Sequence, residues 1–326
     1  MMTTILLTGA GGAGTIAIIK SLKKKFRIIA VDAFRFSVGL YLADKGYVVP
    51  PSDDPEYFNY IENIAKKEKV DIIIPLIDEE LLLFKKYFSR KKGVKILLPN
   101  YNFIKLCLDK WALSQSLKKR NIECARTYLL NDFDNLPKNI FPCIIKPRVG
   151  RGSRGFAYLK NKKDLNDYLR IAPNDKSSLI IQERLYGNEF TVSVAVSKHG
   201  KIIAVVPKEV IIKKGITQVG TTRDDKNIYD LAKKVQEVYK PNGPFNIQLI
   251  MSSKTKSPKI FEINPRFSTT VALTIASGVN EVELLIKDIL DQPYPVPHFK
   301  KDLMMIRYQE QYYVASRLVK KIYEKK

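Results

Sequence analysis

Short apolar runs alternate with amphipathic stretches through the first hundred residues of the chain. The runs predict strands at residues 5–7, 27–31, 47–49, 71–75 and 95–98, and the amphipathic stretches predict helices at residues 15–25, 54–67 and 79–86. Buried strands that are separated by helices are typical of βαβ units, whose strands lie parallel in one sheet. We therefore expect a doubly wound α/β domain over residues 1–104.

The pattern changes after residue 104, where strands come in runs and helices become few. An amphipathic pattern predicts one long helix over residues 103–120, and further helices are expected at residues 224–239 and 282–290. Strand patterns occupy residues 140–149, 179–183, 190–196, 201–206, 245–251 and 259–263. This arrangement predicts an α+β domain over residues 105–300, followed by a C-terminal helical extension over residues 301–326.

Composition excludes several classes of protein. The 326 residues are 45% hydrophobic and 27% charged, which is typical of globular proteins. There is no apolar run of about 18 residues, so we expect no membrane segment, and the first residues lack the basic leader of a signal peptide. Three scattered cysteines fit neither a disulfide framework nor a zinc ribbon and indicate the reducing cytoplasm. With only two histidines, His199 and His298, histidine-based catalysis is not expected.

Positive charge is the unusual feature of the composition. The chain has 56 Lys and Arg residues against 33 Asp and Glu residues, a formal net charge of +23. Such a surplus is one property of nucleic-acid-binding proteins. The lysines, however, form short doublets and triplets from Lys23 onward, often at the ends of predicted helices, where cations favour the helix dipole. We therefore favour a solvated lysine-rich surface over a specific nucleic-acid site.

A glycine turn joins the first predicted strand to the first predicted helix. Gly9, Gly11 and Gly14 match the pattern G-x-G-x-x-G, and Asp32 ends the next strand. In dinucleotide-binding domains such glycines let the backbone approach a pyrophosphate at the helix N-terminus. The turn predicts either a dinucleotide site or a tight strand-to-helix connection that binds no nucleotide.

A second glycine-rich segment is strongly basic and follows Lys146, which ends an apolar strand. Its glycines and arginines are Gly150, Gly152, Gly155, Arg148, Arg151 and Arg154. Bare backbone N–H groups and cations together suit a polyphosphate. An ordinary basic hairpin is the alternative interpretation.

Glu183 and Glu189 flank a short apolar hinge that contains Leu185. The backbone of such a hinge can meet the edge of an adenine base, while a carboxylate accepts hydrogen bonds from ribose hydroxyls. A charged hairpin that binds no ligand has the same pattern, so the hinge alone is weak evidence.

The strand at residues 259–263 continues into a polar segment. Glu262 and Asn264 are two residues apart on a strand, so their side chains share one face, and Gln248 on the preceding strand is expected beside them. Carboxylate and amide oxygens are ligands that Mg²⁺ accepts. Arg266 offers a planar cation to a phosphoryl group or a carboxylate. A hydrogen-bonded pair at a strand end is the alternative.

Taken in order, these segments resemble the ATP-grasp superfamily, especially its branch similar to the large subunit of carbamoyl phosphate synthetase. The order is the glycine turn, Asp109-Lys110 at a helix start, the lysine–glycine loop, the Glu-x-Leu-x-Gly hinge and the Glu-x-Asn-Pro-Arg strand. The resemblance covers residues 3–290 and implies a Rossmann-like pre-ATP-grasp domain, then one ATP-grasp domain with a small lid at residues 124–184.

The resemblance also implies roles for individual residues. Those implied to bind ATP are Lys110, Lys146, Gly152, Ser153, Gly155, Glu183, Leu185 and Glu189. Those implied to bind Mg²⁺, for which Mn²⁺ is a substitute, are Gln248, Glu262 and Asn264. Arg266 and Lys146 are the implied catalytic residues.

The activity implied is that of an ATP-dependent carboxylate–amine ligase, which forms an acyl phosphate, releases ADP and joins the acyl group to an amine. The expected partners are a small-molecule carboxylate and amine, with a homodimer left open. Residues expected to contact the acceptor are Thr217, Gln218, Arg223 and Ser268. Two alternatives remain: a dinucleotide-dependent oxidoreductase that uses Gly9 to Gly14, and a basic nucleic-acid-binding protein without enzymatic activity.

Overall fold

The N-terminal region is a five-stranded parallel sheet with helices on both faces. The structure is a computed structural model that describes residues 2–88, 93–131, 136–137, 139–150, 155–171 and 176–323. The strands are β1 (Thr4–Leu7), β2 (Arg27–Asp32), β3 (Lys45–Val48), β4 (Ile72–Ile74) and β5 (Lys95–Ile96), in the order β3-β2-β1-β4-β5. The helices are α1 (Thr15–Leu22), α2 (Gly39–Leu42), α3 (Tyr57–Glu68) and α4 (Leu81–Phe88). The predicted parallel sheet is confirmed.

Strand β1 shows why these runs are apolar at every position. Ile5 and Leu7 point into one hydrophobic cluster with α1, and Leu6 points into another with α3 and α4. All four residues of β1 are buried because both faces of a parallel sheet are covered by helices.

Two helices, not one, connect this sheet to the rest of the chain. They are α5 (Tyr101–Leu108) and α6 (Lys110–Lys119), so the prediction of one continuous helix is wrong. Asp109 between them has extended backbone, and its carboxylate accepts a hydrogen bond from the Ala112 N–H over 3.0 Å. Aspartate is far better at a helix N-cap than inside a helix, which explains the break.

A small four-stranded sheet lies within residues predicted as the lid. Its strands are β6 (Thr127–Leu129), β7 (Cys143–Pro147), β8 (Ala157–Leu159) and β9 (Leu179–Glu183), in the order β6-β9-β7-β8. Helix α7 (Lys162–Ile171) packs on it through Leu165.

A six-stranded antiparallel sheet follows. Its strands are β10 (Asn188–Val196), β11 (Ile202–Lys214), β12 (Ile216–Thr222), β13 (Gly243–Met251), β14 (Pro258–Asn264) and β15 (Met304–Ile306), in the order β14-β13-β10-β11-β12-β15. Phe190, Val192 and Val194 cover one face together with α5, α6 and α8 (Lys226–Tyr239). The alternate residues, such as Thr191, point to the opposite face.

The two regions share a core. Helices α9 (Val271–Ala276) and α10 (Glu281–Ile289) follow β14, and Val271 and Leu285 join α1 in one hydrophobic cluster. Arg266 forms an ion pair with Asp78 of the N-terminal region, with Nε and Oδ1 2.5 Å apart. These contacts hold the glycine turn against the residues that follow β14.

The prediction of a C-terminal helical extension over residues 301–326 is wrong in part. Met304–Ile306 forms strand β15 on the edge of the large sheet, and the only helix that the structure describes after it is α11 (Ser316–Tyr323). Strand β12, which supplies the edge, lies about 80 residues earlier in the chain. Local periodicity cannot report such a distant partner.

No helix within the described residues combines the length and the apolar character needed to cross a lipid bilayer.

Candidate active site

A cavity of about 690 Å³ lies between the small sheet and the polar face of the large sheet. Strands β7 and β9 contribute one wall, and β10, β13 and β14 contribute the other. The hinge between β9 and β10 lies along it, and the residues after β14 line it as well. Most of the predicted site residues fall in this cavity.

The floor of the cavity is formed by β13 and β14. Gln248 lies directly opposite Glu262 in the register, and Asn264 is two residues further on the same strand. All three line the cavity, so the structure brings together the set that the sequence predicted. The register shifts after Gln248 and leaves Phe261 as an extra residue, so Phe261 and Glu262 both line the cavity.

Glu262 differs from the other two carboxylates of the cavity. Arg126 pairs with Glu183 over 2.7 Å, and Lys213 pairs with Glu189 over 2.5 Å. Among the described residues, no basic group lies within 4.0 Å of Glu262. Its negative charge therefore remains available to a cation in the cavity.

The Asn264 amide is oriented by a neighbouring amide. Asn246 donates to the Arg266 carbonyl over 3.0 Å, which turns its own oxygen toward the Asn264 NH₂ group at 3.3 Å. Asn264 therefore has its oxygen left to accept or ligate. One carboxylate and two amide oxygens are a hard donor set that fits Mg²⁺.

Two lysines extend the positive side of the cavity. Lys146 on β7 is 7% exposed, and its Nζ lies 5.5 Å from the centre of the Phe261 ring. Burial lowers the pKa of Lys146 to about 8; Glu262 acts in the opposite direction, and Lys110 lowers the pKa further. Lys110 also lines the cavity, and its Nζ donates to the Gly150 carbonyl over 2.6 Å.

The predicted lid-loop residues have mixed outcomes. Gly152 and Ser153 lie outside the described residues. Gly155 lines a separate recess of about 320 Å³, not the main cavity, and its carbonyl accepts a hydrogen bond from the Tyr168 hydroxyl over 2.7 Å. Gly155 has φ of +65°, a left-handed conformation that favours glycine and accounts for its place at this turn.

The hinge residues Glu183, Leu185 and Glu189 all line the cavity, as the pattern indicated. The sequence did not predict the two tyrosines that line the cavity beside them, Tyr158 and Tyr186. Arg184 lies 4.9 Å from the Tyr158 ring centre and 5.0 Å from that of Tyr186, and both tyrosines line the cavity. The tyrosines come from β8 and from the hinge, so no local pattern joins them.

The glycine turn contacts the protein's own groups at two positions. The Gly11 N–H donates to the Asp32 carboxylate over 2.8 Å. A Cβ on Gly14 would lie 3.0 Å from Val271 Cγ1 and 3.2 Å from the Ser268 carbonyl oxygen. Gly14 therefore serves the packing of α1 against the residues after β14, which agrees with a tight strand-to-helix connection, while Gly11 and Gly12 remain exposed.

The predicted acceptor residues divide into two pairs. Thr217 and Ser268 are buried in the cavity wall. Gln218 does not line the cavity, because it alternates with Thr217 on β12, and Arg223 lies past the end of that strand. Arg223 pairs instead with Glu209 and Asp302, over 2.7 and 2.6 Å. The expectation that Gln218 and Arg223 contact the acceptor is not supported.

Lys213 was missed, although it lines the cavity and lies 6.0 Å from the Phe261 ring centre. Lys213 lies at the end of β11, and residues 216–222 form β12. Lys213 and Thr217 are opposite each other in the hairpin that these strands form, and both line the cavity together with Gly215 of the turn.

Two family models match the chain. Residues 5–97 match the PylC-like N-terminal domain. Residues 175–312 match the family described as ATP-grasp in the biosynthetic pathway with Ter operon.

Curated proteins of two kinds are similar to this chain. Over 312 residues the chain is 25% identical to a formate-dependent phosphoribosylglycinamide formyltransferase of Bacteroides fragilis, covering 90% of this chain and 79% of that protein. It is 26% identical to a carbamoyl phosphate synthase large chain of Buchnera aphidicola, covering 83% of this chain and 28% of that protein.

Solved structures share the fold. The N5-carboxyaminoimidazole synthetase of Staphylococcus aureus, complexed with ADP, matches with a TM-score of 0.74 at 18% identity, over 91% of this chain and 80% of that one. The biotin carboxylase domain of a Hydrogenobacter thermophilus 2-oxoglutarate carboxylase, in complex with MgADP, matches with a TM-score of 0.72 at 18% identity, over 90% and 71%.

Proposed function

We propose that this chain, a member of the ATP-grasp superfamily with a PylC-like N-terminal domain, is an ATP-dependent ligase that joins a carboxylate to an amine. A carboxylate oxygen attacks the γ-phosphorus of ATP, the bond to ADP breaks, and an acyl phosphate forms. The amine nitrogen then attacks the acyl carbon, inorganic phosphate leaves, and the nitrogen releases a proton.

The observation that carries the proposal is Glu262, which has no ion-pair partner among the described residues and lies beside Gln248 and Asn264. A buried or half-buried carboxylate without a partner is costly unless a cation joins it. Mg²⁺ held by these three residues would neutralise phosphate oxygens during phosphoryl transfer. Two solved structures with this fold are complexes with ADP or MgADP, which agrees with a magnesium-bound nucleotide in this cavity.

The other site residues have roles that follow from their positions. Lys110 and Lys146 neutralise the ATP phosphates. Glu183 and Leu185 contact the adenine base, and Glu189 binds the ribose once Lys213 releases it. Gly152 and Ser153, together with Gly155, are proposed to cover the phosphates.

Arg266 acts at the transferring phosphoryl group. Its side chain is mostly buried, and Asp78 accepts hydrogen bonds from the guanidinium over 2.5 and 3.0 Å, which fixes its position. Such preorganised charge stabilises a transition state more than a mobile side chain does. Thr217 and Ser268 line the part of the cavity that receives the carboxylate.

The substrates are a small-molecule carboxylate and a small-molecule amine, and we place the reaction in the cytoplasm, where ATP is abundant. Mn²⁺ is expected to replace Mg²⁺, since both accept oxygen ligands. A homodimer is compatible with this function.

Two measurements test the ligase. Isothermal titration with a nonhydrolysable ATP analogue and Mg²⁺ should show binding at one site, and ADP release should depend on a carboxylate and an amine drawn from pooled candidates. Glu262→Gln should reduce ADP release at least about 100-fold, because the neutral amide removes the only unpaired carboxylate among the described cavity residues.

Glu237→Gln is the matched control, since Glu237 is an exposed residue of α8, and it should leave ADP release unchanged. Full activity of the Glu262→Gln variant would contradict the metal assignment. Absence of nucleotide binding to the wild type would contradict the function itself.

A further inference from the structure

Arg307 lies just past β15 and joins separate parts of the chain. Its backbone N–H donates to the Gln218 carbonyl over 2.8 Å, which continues the pairing with β12. Its partly buried guanidinium donates to three more backbone carbonyls: Thr217 at 3.1 Å, Thr269 at 3.1 Å and Ala13 at 3.4 Å. One side chain therefore ties the glycine turn, β12 and the turn after β14 to the C-terminal segment.

Two of these carbonyls belong to residues that line the cavity, Thr217 and Thr269. We call the part of the cavity that Thr217, Ser268 and Thr269 line the substrate end. Gly14 packs against Ser268 and Thr269 from the N-terminal side, with 3.5 Å between an added Cβ and Thr269 Cα. The shape of the substrate end thus depends on segments that Arg307 holds together.

The charge of Arg307 is not balanced by the protein. No carboxylate of the described residues forms an ion pair with it, and burial lowers the pKa of its guanidinium below the ordinary value. Carbonyl oxygens carry only part of a negative charge, so a desolvated cation held by them retains a cost. Arg266, at the same end of the cavity, has its charge matched by Asp78.

We propose that Arg307 is a positioning residue for the carboxylate substrate. Through the three carbonyls it holds the substrate end in shape, and its unmatched charge favours an anion over a neutral molecule there. The inference rests on the proposed ligase function, which it extends by assigning the place of the carboxylate. Arg307 acts through the cavity wall, since it does not itself line the cavity.

The experiment compares variants by their response to simple carboxylates. Wild type, Arg307→Met, Arg307→Gln and Arg307→Lys are loaded with Mg²⁺ and a nonhydrolysable ATP analogue, and the affinity for the analogue is measured by calorimetry. Sodium formate, acetate and succinate are then titrated, with sodium chloride at equal ionic strength as the reference, and the melting temperature reports binding. Arg223→Met is the matched control, because Arg223 is paired with carboxylates outside the cavity.

We expect at least one carboxylate to stabilise the wild type more than chloride does. Its apparent affinity should fall about tenfold or more in Arg307→Met, and by a smaller factor in Arg307→Lys, which keeps the charge but cannot span three carbonyls. Arg307→Gln keeps hydrogen-bond donors without the charge, and its carboxylate affinity tests the loss of charge if the Arg307→Met variant is unstable. Affinity for the nucleotide analogue should stay within about twofold throughout.

Equal carboxylate affinity in wild type and the neutral variants would overturn the proposal. So would an equal loss of nucleotide and carboxylate binding, which is the result expected of a purely structural residue. A wild type that binds the nucleotide analogue but responds alike to carboxylates and chloride would also overturn it while leaving the nucleotide site intact.

Discussion

Two glycine-containing segments follow buried strands in this protein, and the structure uses them differently. After β1, the glycines of the turn from Gly9 to Gly14 meet the protein's own groups, with Asp32 on one side and Ser268 on the other. After β7, the chain leaves a cavity wall that carries Lys146. Glycine gives both segments a bare backbone. Beside the first backbone lie the protein's own groups, and beside the second lies the cavity that Gly150 lines.

Of the substitutions in these two segments, Lys146→Met at the end of β7 is expected to have the strongest effect. Nucleotide phosphates in the cavity would lose a buried cation, and we expect kcat/KM for ATP to fall about 100-fold, equivalent to about 2.7 kcal/mol. Lys201→Met, at an exposed lysine, is the control and should have no effect. A change of less than about threefold would remove Lys146 from the phosphate site.

The pH dependence of nucleotide binding should follow the same lysine. In the free protein the pKa of Lys146 is about 8, and bound phosphates favour its charged form, so binding takes up a proton above pH 8. Affinity should therefore be nearly constant below that pH and fall about tenfold from pH 7 to pH 9. Calorimetry in buffers of different ionisation enthalpy measures both the affinity and the proton uptake.

Lys146→Arg should abolish this pH dependence, because a guanidinium stays charged across the range. A wild-type affinity that is the same at pH 7 and pH 9 would show that Lys146 keeps its proton in the free protein.

The smallest effect is expected at the other segment, from Gly14→Ala. The added methyl would lie 3.0 Å from Val271 Cγ1 and 3.2 Å from the Ser268 carbonyl oxygen, so the turn after β14 must shift by a few tenths of an ångström. Gly14 has φ of −88°, which alanine adopts freely, so the effect is steric. We expect KM for the carboxylate to rise about threefold, with KM for ATP unchanged.

Thermal melting of the Gly14→Ala variant serves as the control for general destabilisation. An equal rise of KM for ATP and for the carboxylate would place the glycine turn nearer to the nucleotide than the structure indicates.

Local pattern predicted those parts of the site that depend on one strand at a time. Period-two alternation placed Glu262 and Asn264 on one face, and the end of an apolar strand placed Lys146 at the cavity. Features that depend on the pairing of two strands could not be predicted from the local pattern. The extra residue Phe261 exists only in the register of β14 against β13, and Lys213 faces the cavity only because β11 and β12 pair as a hairpin.

The unsupported expectation that Arg223 contacts the acceptor has the same cause. Arg223 and Arg307 are both isolated cations in the sequence, and only their neighbours in space distinguish them. Glu209 and Asp302 neutralise Arg223, whereas Arg307 meets backbone carbonyls of three segments that are far apart in the chain.

The parallel sheet, the order of the motifs and the residue types that can bind phosphate and metal could be read from the chain, because hydrophobic periodicity and side-chain chemistry are local properties. Three features required the fold: the packing of Gly14 against Val271 and Ser268, the lack of an ion-pair partner for Glu262 among the described residues, and the contacts of Arg307, just past β15, with the Thr217 and Thr269 carbonyls. Pairing and packing between distant segments decide which charges are neutralised, and that cannot be read from neighbours along the chain.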